Sequence, residues 1–397
     1  MIINSLLDND FYKFTMGQVV LHKFPGAMVE YKFKCRTPEV IFTEEMQMKI
    51  SEEIDNLCNL EFSLDELKYL SNIRFLKQDY IEYLRNFKLN RKYVYLSDTD
   101  GEMTITIVGP WISTILFEVP ILAIVSEVYM KHTYKDIYND MASKYPYDEL
   151  NALKAELDTY HIGNKMYNIK FADFGTRRRF SRVWQEQIVL FLVKQLPETF
   201  TGTSNVLFAK NFNLVPVGTM AHEFIMGCQS MVRLSESQKF AFQTWADEYR
   251  GDLGIALSDT LGIDAFLRDF DLYFCKLFDG VRQDSGDPVQ VCEKVIQHYK
   301  KMKIDPRTKR IVFSDGLDFY KMKDLYDKFK DQVDIFFGIG TYLTNNIKGT
   351  KPIQIVIKMT KCNDADVAKI SDSEGKQMCE NIEYLNYLKG VFKINGE

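Results

Sequence analysis

The sequence predicts an α/β barrel joined to a smaller α+β domain, and three observations carry that prediction. From about residue 170, short apolar runs recur, each ending in a Gly, Ser, Thr, Asp or His cluster and followed by a helical stretch. The seven runs are IKFADFGTRRR, TFTGTSN, LVPVGTMAHE, GIALSDTLG, CKLFDGVRQDSGDP, RIVFSDGLD and DIFFGIGT. Their clusters lie roughly 15 to 40 residues apart, the spacing of strands that alternate with helices or long loops in a parallel sheet. Seven such units fit a closed barrel better than an open sheet, which would gather its ligand loops at one switch point. The third observation is contrast: the first hundred residues read as helices and a hairpin, without βα repeats.

The elements follow in order. Phe42 to Leu57 and Leu64 to Asn72 carry apolar residues at helical spacing. Arg91 to Val108 alternates, with YVYL and MTITIV flanking the turn residues Asp98 to Gly101, and reads as a hairpin. Trp111 to Tyr134 reads as one long apolar helix. Its run Ile112 to Met130 holds Glu118, Pro120, Ser126 and Glu127, a charge density that argues for burial in protein and against a membrane span. Tyr134 to Lys165 is a charged helical connector, and the tail from IQIVIKM onward reads as a strand and hairpin returning to the first domain. The expected division is an α+β domain over 1–135, completed by about 350–397, and a barrel over 136–349 that carries the site.

A net charge of -5 gives no electrostatic footprint for nucleic acid, so anionic ligands must be met by local basic clusters. Seven scattered cysteines without a CxxC pair argue against a disulfide framework or zinc site and point to a reducing cytoplasm. The start, MIINSLLDNDFYKF, lacks the basic-then-apolar layout of a signal peptide.

The strand-end clusters hold the candidate chemistry. In FADFGTRRR, Arg177 can offer paired donors to a carboxylate or phosphate, while Arg178 or Arg179 reads as a solvated helix start. SDGLD (Ser314 to Asp318) and GIGT (Gly338 to Thr341) are simple turns if taken singly. As a pair after the last two barrel strands, they match the usual place of a phosphate site. DGVRQDSGDP is either a solvated turn, with Asp287-Pro288 starting a helix, or a ligand loop. In the second case Arg282 and Asp284, two apart, point to one side and can bind an acidic group with a sugar hydroxyl or Mg²⁺. Asp259 offers a further carboxylate. His222 in GTMAHE is the only histidine in any cluster, and either a structural role or general base and phosphoryl acceptor chemistry is open to it.

Taken together and in this order, LLDNDFYKFTMGQ, FADFGTRRR, GTSNVLFAK, GTMAHEF, LSDTLGIDAFLRDFD, LFDGVRQDSGDP, SDGLD and FGIGTYLTN strongly resemble the nicotinate phosphoribosyltransferase family, from about residue 5 to residue 360. The resemblance implies an irregular TIM-like α/β barrel with a second, smaller α+β domain, the type II phosphoribosyltransferase architecture. It implies an ATP-dependent ligase of NAD salvage that makes nicotinate mononucleotide and pyrophosphate from nicotinate and phosphoribosyl pyrophosphate. On the matching positions His222 would be the phosphohistidine, and Tyr12 and Phe174 would clamp the pyridine ring, Tyr12 often coming from a second subunit of a homodimer. Thr219, Arg282 and Arg177 would contact nicotinate. Ser314, Asp315 and Gly316, with Gly338, Gly340 and Thr341, would hold the ribose 5-phosphate. Asp259 and Asp284 would meet ribose hydroxyls or Mg²⁺-bound pyrophosphate, with Mg²⁺ as the implied cofactor. Family members that use nicotinamide carry an Asp where this chain has Ser204, so the carboxylate substrate is expected here. The competing readings are a related enzyme using nicotinamide or quinolinate, a barrel lyase or phosphatase acting on a sugar phosphate, and a non-catalytic ligand-binding barrel.

Overall fold

The structure is a computed structural model that describes residues 1–99, 102–143, 147–373 and 379–394. Its strands in chain order are β1 (Met28–Cys35), β2 (Val94–Thr99), β3 (Glu102–Pro110), β4 (Phe171–Asp173), β5 (Phe200–Thr203), β6 (Ile255–Leu257), β7 (Gly280–Gln283), β8 (Arg310–Phe313), β9 (Asp334–Ile339), β10 (Ile355–Cys362) and β11 (Ala365–Asp366).

Strands β4 to β9 form one six-stranded sheet in the order β5-β4-β9-β8-β7-β6, with every pair parallel. In β8 and β9 the runs Ile311–Phe313 and Ile335–Ile339 are buried without alternation, as expected of parallel strands covered on both faces. Six of the seven apolar runs are therefore strands. The seventh, LVPVGTMAHE, forms none. It lies extended between the two edge strands, where the Val217 N–H donates to Thr203 O (2.9 Å) and the Thr219 hydroxyl donates to Ile255 O (3.0 Å). Pro216 removes a ladder donor, and Gly218 at φ +154 lets the backbone press against Tyr12, where a Cβ would stand 3.1 Å from its nitrogen. The barrel is closed on that side by single bonds, which makes it irregular.

Strands β1, β2, β3, β10 and β11 form an antiparallel sheet in the order β11-β10-β1-β3-β2. Helices Glu44–Cys58 and Leu64–Ser71 match the sequence reading, the first capped by Thr43 and the second by a Ser63/Glu66 capping box. The β2–β3 hairpin also forms, although Asp100 and Gly101 of its expected turn lie outside the described residues. The single long helix expected from Trp111 is instead two, Trp111–Thr114 and Glu118–Thr133. Pro120 has no N–H for the carbonyl of Leu116, which accepts instead from the Asn9 amide (3.0 Å). The Trp111–Thr133 stretch is long and apolar enough to cross a membrane, yet 94% of its apolar 18-residue window is buried inside the protein.

The tail divides its allegiance. β10 pairs with β1, placing 355–366 on the antiparallel sheet. Helix Ile382–Val391 instead packs Leu385 and Leu388 on Leu261 and Ala265 of the barrel, so the tail does not all return to the first domain.

Candidate active site

A cavity of about 460 Å³ opens at the carboxyl ends of the barrel strands. Phe174, Gly175, Arg177 and Arg178 reach it after β4, Arg282 and Asp284 from β7, Ser314 to Asp318 after β8, and Gly340 to Tyr342 after β9. Arg36, Lys358 and Lys369 close it from outside the barrel. Six cationic side chains against three carboxylates make its wall a site for anions. Arg282 is held by two bonds, Nη2 to Asp284 Oδ1 (2.9 Å) and Nε to Ser314 Oγ (2.8 Å), with its guanidinium 5.7 Å from the Phe174 ring centre. The Phe174 ring itself lies over Gly338, where a Cβ would stand 2.2 Å from a ring carbon.

His222 begins the helix His222–Cys228, buried at the wall of this cavity. Its Nε2 lies 2.8 Å from Asp259 Oδ1 and 2.8 Å from the ammonium of Lys369. Lys369 in turn donates to Asp259 Oδ2 (2.7 Å), and Ser285 donates to the same oxygen (2.6 Å). Burial pushes the imidazole down to about 4, Asp259 pulling it up and Lys369 pushing it further down, so the ring is neutral at physiological pH. Burial opposes ionisation of Asp284 as well, but Arg282 beside it holds that carboxyl at about 2.

A narrow extension of about 30 Å³ runs inward past Arg177, His222, Arg282, Asp284 and Lys358 to Tyr12, Glu118 and Glu223. The Tyr12 hydroxyl is buried there without a hydrogen-bond partner. Beneath it Lys13 pairs with Glu118 (2.6 Å) and with Glu223, which also accepts from Tyr31 and Trp111 (2.6 Å each). Burial works against the charge on Glu118, but Lys13, Lys358 and Arg177 hold it at about 2.

The structure brings Phe174, Arg177, His222, Arg282, Asp284, Ser314, Asp315, Gly316, Gly340 and Thr341 to one cavity, with Tyr12 at its inner end. Tyr12 lines the narrow extension of the cavity in its own chain. Ser204, Thr219, Gly338 and Asp259 do not line the wall. Ser204 donates to Asp10 Oδ1 (2.7 Å), the Thr219 hydroxyl is spent on Ile255, and Gly338 underlies Phe174. Asp259, 1% exposed, stands behind His222 and orients its ring. The reading of Arg178 or Arg179 as a solvated helix start is also corrected. Arg178 binds Ile355 O (2.9 Å) at the cavity wall, and Arg179 is fully buried against Asp8 (2.7 and 2.8 Å). Asp287 caps the helix Pro288–Lys301, the bland option for that residue.

Sequence reasoning missed Arg36, Lys358 and Lys369, none of which ends a barrel strand. A signal existed for Lys358, the single charge in the apolar run IQIVIKM. Glu118 carried one too, because a buried acid in an apolar run requires a cation.

His222, Asp259 and Asp284 offer ligand atoms within 4.8 Å of one another, the cluster to test for Mg²⁺ among the described residues. It does not fit a resident Mg²⁺. Lys369 already contacts both His222 and Asp259, and each carboxylate has its own protein cation, Lys369 at 2.7 Å and Arg282 at 2.9 Å. Mg²⁺ also prefers oxygen ligands and several waters to imidazole.

A parallel barrel with an arginine-rich mouth, an aromatic wall and a buried histidine defines a site suited to a flat, anionic ligand. Residues 169–396 match the family model described as the nicotinate phosphoribosyltransferase (NAPRTase) family, and residues 7–126 match its N-terminal domain. The chain belongs to that family. It is 51% identical to a nicotinate phosphoribosyltransferase of Acidovorax sp. (strain JS42) over 404 residues, 99% of each chain. It is 52% identical to one from Xanthomonas euvesicatoria, with 99% of this chain and 98% of that one covered. Among solved structures, the nicotinate phosphoribosyltransferase of Vibrio cholerae superposes with a TM-score of 0.93 at 39% identity, covering 100% of this chain and 95% of that chain. The enzyme from Porphyromonas gingivalis gives 0.90 at 32% identity, covering 99% and 100%.

Proposed function

We propose that this chain joins nicotinate to the ribose of phosphoribosyl pyrophosphate, forming nicotinate mononucleotide and pyrophosphate in cytoplasmic NAD salvage. The observation that carries the reading is the Arg282 guanidinium, fixed by Asp284 and Ser314 above the Phe174 ring. That arrangement offers a flat apolar face and a paired donor to a planar ring bearing a carboxylate. The pyridine nitrogen forms a bond to the ribose C1 as the C1–oxygen bond to pyrophosphate breaks, and that oxygen keeps the electron pair. Positive charge develops on the ribose and negative charge on the leaving group, so positioned cations along the wall lower the barrier. Mg²⁺ enters this scheme with the pyrophosphate as part of the substrate. Discrimination against nicotinamide rests on Arg177 and Arg282, with Asp10, the acid nearest Ser204, bonded to that hydroxyl (2.7 Å) and 3.9 Å from Arg177.

ATP hydrolysis is coupled through His222. A neutral imidazole whose Nε2 faces Asp259 has Nδ1 left for the cavity, and Nδ1 with a free electron pair can take a phosphoryl group.

Two assays test the reading. The purified chain with phosphoribosyl pyrophosphate should turn over nicotinate faster than nicotinamide or quinolinate. Equal rates with nicotinamide sink the substrate assignment. With γ-labelled ATP the chain should take up acid-labile label that His222→Asn does not take up. Label persisting in that variant removes the phosphohistidine and leaves the transferase.

A further inference from the structure

Residues 367–373 cross the carboxyl end of the barrel as a strap that is bonded at nearly every step. Val367 N–H donates to Thr360 O (3.0 Å), Ala368 N–H to Gln229 Oε1 (2.9 Å) and Ile370 N–H to Thr260 O (2.9 Å). Asp372 N–H donates to Ser285 Oγ (3.2 Å), and the Ser373 hydroxyl accepts from Gly286 N–H (2.9 Å). The Asp372 carboxylate accepts from Ile263 N–H at the start of the next helix (3.0 Å). A segment held so closely has one side-chain register, and that register sends Lys369 inward.

We propose that Lys369 is the resident cation of the His222, Asp259 and Asp284 cluster and a positioning residue for His222, so that the cluster takes no divalent ion of its own. The geometry carries this. Lys369 is buried, 2.7 Å from Asp259 Oδ2 and 2.8 Å from His222 Nε2, the two atoms a metal ion would need on that side. The other carboxylate is answered by Arg282 (2.9 Å) and by the Ser314 hydroxyl (2.7 Å). Two carboxylates matched by two fixed ammonium and guanidinium groups leave no net negative charge to repay the dehydration of a divalent ion. A lysine in this place has a second consequence. An ammonium beside Nε2 favours the neutral ring, and by anchoring Asp259 Oδ2 it keeps Oδ1 aimed at the ring. The role assigned to His222 rests on the functional reading above, whereas the exclusion of a metal rests on the distances alone.

Cobalt is the probe, because a His–Asp–Asp set binds it and its visible absorption reports inner-sphere ligands. The wild-type chain, without pyrophosphate, should show no cobalt absorption that His222→Asn alters. Lys369→Ala should take up one equivalent of cobalt, and Lys369→Ala combined with His222→Asn should not. Lys369→Arg, which keeps a cation on the strap, should stay free of cobalt. In turnover, Lys369→Ala should lower kcat by about tenfold or more with the nicotinate KM within about twofold, and Lys369→Arg should recover part of that loss. Cobalt binding at His222 in the wild type overturns the proposal, and nicotinate turnover by the same sample leaves the functional reading standing. A folded Lys369→Ala variant that takes up no cobalt overturns it equally.

Discussion

Two of the buried cation–carboxylate pairs among the described residues behave differently. Arg179 and Asp8 are both 0% exposed and joined by a fork of two bonds, 2.7 and 2.8 Å, with Asp8 also accepting from Asn205 (2.7 Å). Lys369 and Asp259 are almost as deeply buried, at 4% and 1%, and are joined by one bond of 2.7 Å. The first pair, with Gln185 and Glu127 also beside Arg179 (3.3 and 3.9 Å), lines neither the active-site cavity nor its extension. The second divides its oxygens between an ammonium and a titratable ring, and both Lys369 and His222 open onto the cavity. Burial and charge pairing therefore do not mark chemistry by themselves. What marks it is a titratable ring that shares the carboxylate and opens onto a path to a ligand.

The sharpest way to break the comparison is to remove each cation. Arg179→Met leaves Asp8 buried and unpaired and should cost about 3–5 kcal/mol in urea unfolding. Lys369→Met should cost less than about half of that, because His222 and Ser285 still donate to Asp259. Equal losses would erase the distinction. Next in size is Arg282→Ala, which strips the cavity and leaves the core alone. We expect kcat/KM for nicotinate to fall about tenfold to a hundredfold with the urea midpoint unchanged. A stability loss matching that of Arg179→Met would place Arg282 with the structural pair.

The third effect concerns pH. With burial holding the His222 imidazole at about 4, the ring keeps its neutral form throughout the range from 7 down to 5. An ordinary histidine would be about nine-tenths protonated one unit below its pKa, so turnover at pH 5.5 should be about tenfold higher than an unshifted ring allows. The same shift has a stability sign. A folded-state value depressed below the ordinary 6.5 gives stability that is full above 6.5 and is lost as pH falls toward 4. Melting of wild type against His222→Asn between pH 7 and 4 should show that loss in the wild type alone.

The barrel side of the site was legible because strand ends announce themselves: apolar runs stopped by Gly, Ser and Asp pointed to Arg177, Arg282, Asp284 and the Ser314–Gly316 loop, while Phe174 followed only from the family resemblance. Its failures were of two kinds. LVPVGTMAHE has the composition of a strand end, yet Pro216 and Gly218 belong to a crossing segment, and no local pattern separates these. Asp259, Lys369 and Lys358 depend on which distant segments meet. Asp259 looked like a ligand contact until Lys369, 110 residues later, was found bonded to it. The break before Glu118 was readable in principle, since Pro120 sat in plain view inside the apolar run.

The smallest effect separates Lys358 from its neighbour Lys369. Lys358, on β10, lines both the cavity and its inward extension, and burial pushes its ammonium down to about 8, Glu118 pulling upward and Arg177 and Lys369 pushing further down. As pH rises through 8 the wall loses one positive charge, and KM for phosphoribosyl pyrophosphate should rise about two- to fivefold. Lys358→Arg should flatten that limb, since a guanidinium stays charged. Stability moves the other way. With the folded value below the ordinary 10.5, the unfolded chain binds the extra proton between pH 8 and 10.5, so folding gains as pH climbs through that window. Substrate binding that weakens while the urea midpoint rises, relative to Lys358→Arg, is the signature of one buried amine serving the ligand at the expense of the fold. Binding and stability falling together across that window would mean that Lys358 is paired like Arg179 and only holds the sheet.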